Sequence, residues 1–219
     1  ALWWSSSAWN CIAGALFWIL SFIYILVWTL PALVARFRAS RVPQEGAGEI
    51  LPVVDPEGRV VGKAPRPLCH AGGAKPLHPV VRLWLTDGSG NFWMQKRSRG
   101  KLVQPGKWDC AVGGHVAAGE NLEVSLRREA REEIGLGDPG SLTFIAKFIW
   151  ETAIERELVF VFLATLPRTV SFSPDRVEVD EIRLWSGSEL ADAELGALTE
   201  LALRELTSIP TLSPQVPSA

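Results

Sequence analysis

Apolar residues recur along this chain in three rhythms, and each change of rhythm marks a change of architecture. Residues 1–35 carry no charged side chain. Inside them lies an apolar run at 11–30, CIAGALFWILSFIYILVWTL, with the length of about 20 residues that a helix needs to cross a bilayer core. Beyond a stretch that mixes charges with Gly, Pro and Ser, the rhythm shortens to apolar runs separated by turn residues. These predict a hairpin of 49–54 and 60–61 across Asp55-Pro56-Glu57-Gly58, and strands at 79–85 and 92–96 across Asp87-Gly88-Ser89-Gly90-Asn91. Further strands are expected at 108–112, 142–150, 158–166 and 182–185, while 65–76 reads as irregular. Two stretches are helical instead: 122–134, where Leu122, Leu126, Ala130 and Ile134 recur at every fourth position, and about 189–205. Strands at this density predict an α/β domain, a mixed sheet sandwiched between helices, with an N-terminal apolar helix ahead of it. The expected organisation is an apolar segment at 1–35, a linker at 36–48, a domain at 49–207 and a flexible tail at 208–219.

The flanks of the apolar run favour a transmembrane helix. Trp3, Trp4 and Trp9 stand at one end and Trp28 at the other, as interfacial aromatics would, and Arg36, Arg38 and Arg41 follow directly. The basic residues after the run place its C-terminal side in the cytoplasm and fit a cleaved signal peptide poorly. A buried helix, or sequence foreign to the native protein, is the competing reading. At 219 residues and 47% apolar content the chain can bury one domain and carry an accessory segment. A net charge of −2 gives no general attraction to nucleic acid or acidic lipid. Cys11, Cys69 and Cys110 are odd in number and lack metal-ligand spacing, which fits reduced thiols in a cytoplasmic compartment.

The chemistry concentrates between Gly113 and Leu136, GGHVAAGENLEVSLRREAREEIGL. Asn121 is a good N-cap, 122–134 contains no Gly or Pro, and Gly135 is placed to end the helix as its C′ residue. Glu129, Glu132 and Glu133 then stand at i, i+3 and i+4 on one edge of that helix. Carboxylates packed this closely repel one another, an arrangement that makes most sense around a divalent cation, and all-oxygen ligands suit Mg²⁺ or Mn²⁺. For the glutamates alone, a solvated acidic face is an equal alternative. Gly113, Gly114 and Gly119 bracket a loop from strand to helix that can bring backbone groups close to a metal or phosphate. A tight turn is their simpler explanation.

The full spacing decides between these readings. Gly114, Glu120, Arg128-Glu129-Ala130, Glu132-Glu133 and Gly135-Leu136 complete the pattern GX5EX7REUXEEXGU, with U an apolar residue. This resembles the Nudix box, the signature of a family that hydrolyses a nucleoside diphosphate or another organic diphosphate linked to a further group. The resemblance implies a Nudix fold, a small-molecule diphosphate substrate and Mg²⁺ or Mn²⁺ as cofactor. It also implies Glu132 and Glu133 as metal ligands, Glu129 as a third ligand or the base that activates water, and the Gly113 carbonyl as an extra ligand. Glu120 and Arg128 would orient loop and helix through a salt bridge, and Gly114 would lie against the substrate. Lys96 and Arg97, in a basic run with Arg99 and Lys101, would offset diphosphate charge; a solvated loop is the competing reading.

The segments EILPVVDPEGRVVGKAPRPLCH, LHPVVRLWL, QKRS, QPGKWDCAVGGH and ERELVFVF are similar to the Nudix branch that contains isopentenyl diphosphate isomerase. That resemblance places His70, His78 and His115 at the isomerase's metal-binding histidines, with His115 the best supported, and Glu155 and Glu157 at its acidic pair. Glu157 or Glu155 would supply a base or contact substrate from the strand side. The isomerase has a proton-handling cysteine in a WxxxxCGH pattern, where this chain has Gly113, and its branch tends to lack a complete REUXEE. Hydrolysis is therefore the more economical expectation, with isomerase activity or non-catalytic diphosphate binding as alternatives.

Overall fold

A computed structural model describes residues 6–24, 48–70, 75–101, 103–193 and 196–209. The chain forms two compact units, Ala1–Ala47 and Gly48–Ala219. In the first, helix α1 spans Ser6–Tyr24. It starts in the polar stretch Ser6, Ser7 and Asn10, ahead of the expected span, and among the described residues no helix is long and apolar enough to cross a membrane. The transmembrane expectation for 11–30 is thus not supported; residues 25–30 and nearly all of the expected linker lie outside the described residues.

The second unit opens with a two-stranded hairpin, β1 (Ile50–Val54) and β2 (Val60–Pro65). Asp55 closes its turn by accepting the Arg59 backbone N–H at 2.9 Å. A four-residue helix, α2 (Arg66–Cys69), follows where irregular chain was expected; Pro65 and Pro67 start it without needing the N–H groups a helix leaves unpaired. The central strand is β3 (His78–Thr86), buried along its whole length. It pairs with β4 (Asn91–Arg97) and β6 (Val112–His115) antiparallel, and with β8 (Arg156–Thr165) parallel. β7 (Thr143–Glu151) extends the sheet beyond β8, while β5 (Trp108–Asp109) and β9 (Val179–Ser186) both pair with β4.

Side-chain alternation along β3 sorts the core into two layers. Val81, Leu83 and Leu85 meet Leu126, Ala130 and Ile134 of helix α3 (Leu122–Ile134). Val80 and Trp84 face the other way, into a cluster with Phe92, Met94, Leu198, Ala202 and Ile209, covered by α5 (Glu200–Leu206). Each large apolar side chain sealed in these layers contributes about 1.5–3 kcal/mol. The result is an α/β fold with a mixed sheet between helices.

Besides α2, two elements depart from the sequence expectation. The strand expected at 108–112 divides at Cys110-Ala111 because Asp109 turns inward, accepting the Cys110 N–H at 2.9 Å and an ion pair from Arg82; the chain leaves β4 there and resumes against β3. The closing helix divides into α4 (Gly187–Ala191) and α5. Gly196, at φ 101, cannot continue a right-handed helix, and Thr199 caps a new one by accepting the Ala202 N–H at 3.1 Å.

Candidate active site

Helix α3 is fixed at both ends. Asn121 Oδ1 accepts the Val124 N–H at 2.9 Å, and Gly135 ends the helix in the left-handed region at φ 67. This phasing aims Glu129 and Glu133 at strand β6. A Cβ on Gly114 would overlap the Glu129 carboxyl carbon and stand 2.5 Å from its Cγ and Oε1, so glycine there is what lets Glu129 lie across the strand. Glu133, 7% exposed, accepts the Gly113 N–H at 3.1 Å and the Gln95 amide at 3.4 Å. Glu132, with its side chain 58% exposed, is the outermost of the three.

Arg128 binds these acids together. Its Nε and Nη2 donate to Glu120 at 3.1–3.2 Å, Nη2 also donates to the His115 carbonyl at 3.1 Å, and Nη1 reaches Glu129 at 2.8 Å and Glu132 at 3.0 Å. The hydrogen bonds from Arg128 hold the Glu120 carboxyl below its ordinary range. Burial pushes Glu129 up to about 7 even with that arginine adjacent. Glu133 is pushed up to about 8, by burial first and by the neighbouring Glu129 second. One guanidinium shared among three acids, with Glu133 buried beyond its reach, forms a site short of positive charge.

Strand β6 divides this cluster from another. Gly113 and His115 pair with Arg82 and Val80, whose side chains face α5, whereas Gly114 faces α3. On the α5 side, His70, His78, His115 and Glu157 bring one ligand atom each to within 4.8 Å of all the others. The three ring centroids are 5.1–5.3 Å apart, and His70 Nε2 lies 3.1 Å from His115 Nε2. His78 Nδ1 donates to the Pro76 carbonyl at 3.0 Å, which leaves Nε2 as a bare acceptor. That buried Nε2 has no hydrogen-bond partner and lies 3.9 Å from Glu157 Oε1. Burial lowers all three imidazoles, His70 to about 4, so each is a neutral ligand at ordinary pH. Burial, then the adjacent Glu155, pushes Glu157 up to about 8. An orphaned lone pair among neutral imidazoles and a carboxylate fits a cation of the Mn²⁺ or Zn²⁺ type.

Residues 76–206 match the NUDIX domain. The chain belongs to the Nudix family. It is 38% identical over 110 residues to an uncharacterized Nudix hydrolase of Streptomyces coelicolor, covering 50% of this chain and 60% of that protein. It is 32% identical over 162 residues to one of Pseudomonas aeruginosa, covering 74% and 86%. An isopentenyl-diphosphate Delta-isomerase of Mycolicibacterium vanbaalenii is 31% identical over 143 residues, covering 63% and 77%. A Deinococcus radiodurans protein of known crystal structure superimposes with a TM-score of 0.60 at 25% identity, covering 73% of this chain and 99% of that one. These likenesses agree with the Nudix fold and with the isomerase-like branch.

Within the Nudix frame, the box residues Glu120, Arg128, Glu129, Glu132 and Glu133 form one connected group with Gly113 and Gly114. His115 contributes its carbonyl to that group and its ring to the histidine cluster. Glu157, expected as a base or substrate contact, stands in the histidine cluster, because its parallel pairing with His78 puts both side chains on one face. Arg97, expected to meet substrate, turns back to Val103 O at 3.1 Å and Asp109 at 3.4 Å. Lys96 Nζ sits 5.5 Å above the Trp108 ring. Sequence reasoning missed Gln95, Arg82, Asp109 and Glu205. A charge in the middle of HPVVRLWLT was the available signal, since a wholly buried strand holds one only if it is paired.

Proposed function

We propose that this domain is a divalent-metal-dependent Nudix hydrolase that cleaves a diphosphate linkage in an organic or nucleoside diphosphate derivative. The observation that carries the reading is Glu133: a buried carboxylate held by the Gly113 N–H and Gln95, with no ion pair among the described residues and only the charge of Lys101 acting on it from further off, beside Glu129 and Glu132. Glu129, Glu132, Glu133 and the Gly113 carbonyl would hold Mg²⁺ or Mn²⁺, which when bound neutralises diphosphate charge and lowers the pKa of bound water. The chain's own groups supply the rest. Arg128 keeps the acidic side chains converged, Gly114 leaves room for Glu129, and Glu129, where it does not itself serve as a ligand, is the base placed to take a proton from water. The histidine cluster with Glu157 supports a second cation position on the far side of β6.

The histidine cluster also favours a second reading, double-bond isomerisation of a prenyl diphosphate, the activity named in one group of relatives. Gly113 argues against it, having no proton to give where the isomerases carry their cysteine. A screen of nucleotide sugars, dinucleotides, coenzyme A and prenyl diphosphates with Mg²⁺ or Mn²⁺ separates the two. Release of phosphate or a monophosphate, abolished in Glu132→Gln, is the expected result. Migration of the double bond in isopentenyl diphosphate without hydrolysis would replace this reading by the other.

A further inference from the structure

Arg82 is the one charged side chain in the central strand, and it is 5% exposed. It is held at every polar atom. Nε donates to Glu205 Oε1 at 2.7 Å, Nη1 to Asp109 Oδ2 at 3.2 Å, and Nη2 to both Asp109 Oδ1 and Glu205 Oε2. The two acids are fixed in turn: Trp84 Nε1 donates to Glu205 at 2.8 Å, and Thr199 Oγ1 donates to Asp109 at 2.9 Å. Such a network is costly to bury and is often replaceable by apolar residues without loss of stability, so stability alone does not account for it.

Its position supplies a reason. Arg82 and Gly113 are paired across β3 and β6. A Cβ built on Gly113 would fall well inside the contact radius of Arg82 Nη1 and 3.3 Å from its Cδ and Cζ. The guanidinium, clamped from α5 by Glu205 and from β5 by Asp109, is therefore the wall against which the Gly113 backbone rests. On its opposite side that same residue donates its N–H to Glu133 at 3.1 Å.

We infer that Arg82 is a positioning residue for the box: pinned by Asp109 and Glu205, it sets the Gly113 peptide that holds Glu133, and so ties the C-terminal helix α5 to the proposed metal site. This rests on the hydrolase reading for its functional consequence but not for its structural one. It also explains why position 113 admits no side chain: the space that an acid there would need is filled by the guanidinium.

A double-mutant cycle on the whole chain tests it. Gly113→Ala forces a methyl onto Nη1, while Arg82→Lys keeps charge and stem but lacks that nitrogen. In the native background Gly113→Ala should weaken Mn²⁺ binding, followed by electron paramagnetic resonance, by about tenfold or more, the scale of losing an outer-sphere support. In the Arg82→Lys background the same substitution should cost much less, which is the signature of direct coupling. Amide exchange at Gly113 is read in parallel and needs no metal: protection should fall about tenfold in Arg82→Lys while exchange in α3 stays unchanged. Equal effects of Gly113→Ala in both backgrounds, or unchanged protection at Gly113, would overturn the inference. A native chain that binds no Mn²⁺, yet loses Gly113 protection in Arg82→Lys, would sink the hydrolase reading and leave the positioning role standing.

Discussion

Two groups of buried carboxylates face each other across strand β6, and they differ in who supplies the positive charge. Asp109 is pushed up by burial, but the Arg82 guanidinium more than offsets this and holds it below its ordinary range, with Arg97 adding to the effect. Glu205 shares that arginine and still sits above its ordinary range, because complete burial outweighs the share it receives. Glu133 has no guanidinium and is pushed up to about 8. Asp109 carries its cation in the sequence; Glu133, beyond the reach of Arg128, is arranged as if its cation arrives from solution. Burial alone does not distinguish a structural acid from a metal ligand, whereas the balance of charge around it does.

The largest break in this comparison comes from removing the built-in cation. Arg82→Ala leaves Asp109 and Glu205 buried without the guanidinium they share, and should lower unfolding free energy by about 3–5 kcal/mol in a denaturant titration. A loss below about 1 kcal/mol would mean that the two acids are solvated or protonated without consequence. Next is Glu133→Gln. It should reduce turnover of the best substrate roughly a hundredfold or more while leaving the melting temperature of the metal-free chain unchanged or higher, since a neutral amide removes the cost of a buried charge. Full turnover in this variant would remove Glu133 from the machinery.

A smaller effect should appear in the pH dependence of metal-free stability. Glu129, Glu133 and Glu157 are raised from 4.5 to about 7, about 8 and about 8. Acids raised on folding bind more protons folded than unfolded between the two values, so their contribution is fully present below 4.5 and is lost as pH rises through 7 to 8. The histidines act oppositely: His70 is lowered from 6.5 to about 4, so stability rises with pH across that interval and is flat above it. The window from about pH 6.5 to 8 therefore isolates the carboxyls. The melting temperature of the metal-free chain should fall across it, and saturating Mn²⁺ should cancel most of the fall. A flat profile without metal would mean that these carboxyls are not held protonated by burial.

The same contrast explains which parts of the fold and site are legible in the amino-acid sequence. Asn121, Leu122, Leu126, Ala130, Ile134 and Gly135 specify a helix through local rules, and the observed α3 has those bounds. The box convergence follows because three acids at helical spacing meet whatever the rest of the fold does. The histidine cluster depends on the α2 turn, the start of β3 and the end of β6 arriving together, and nothing local to His70 or His78 announces that. The Arg82 network spans positions 82, 109 and 205, a separation that no periodicity encodes. The division of the 108–112 strand follows from the same network, since it falls directly after Asp109, the last residue of β5, whose side chain is bound to Arg82.

The most direct measurement is anomalous diffraction from a crystal soaked in Mn²⁺. The account predicts a manganese peak within coordination distance of Glu129, Glu132 and Glu133, whether or not a second appears among His70, His78, His115 and Glu157. A peak at the histidine cluster alone, or none on the α3 side of β6, would contradict it.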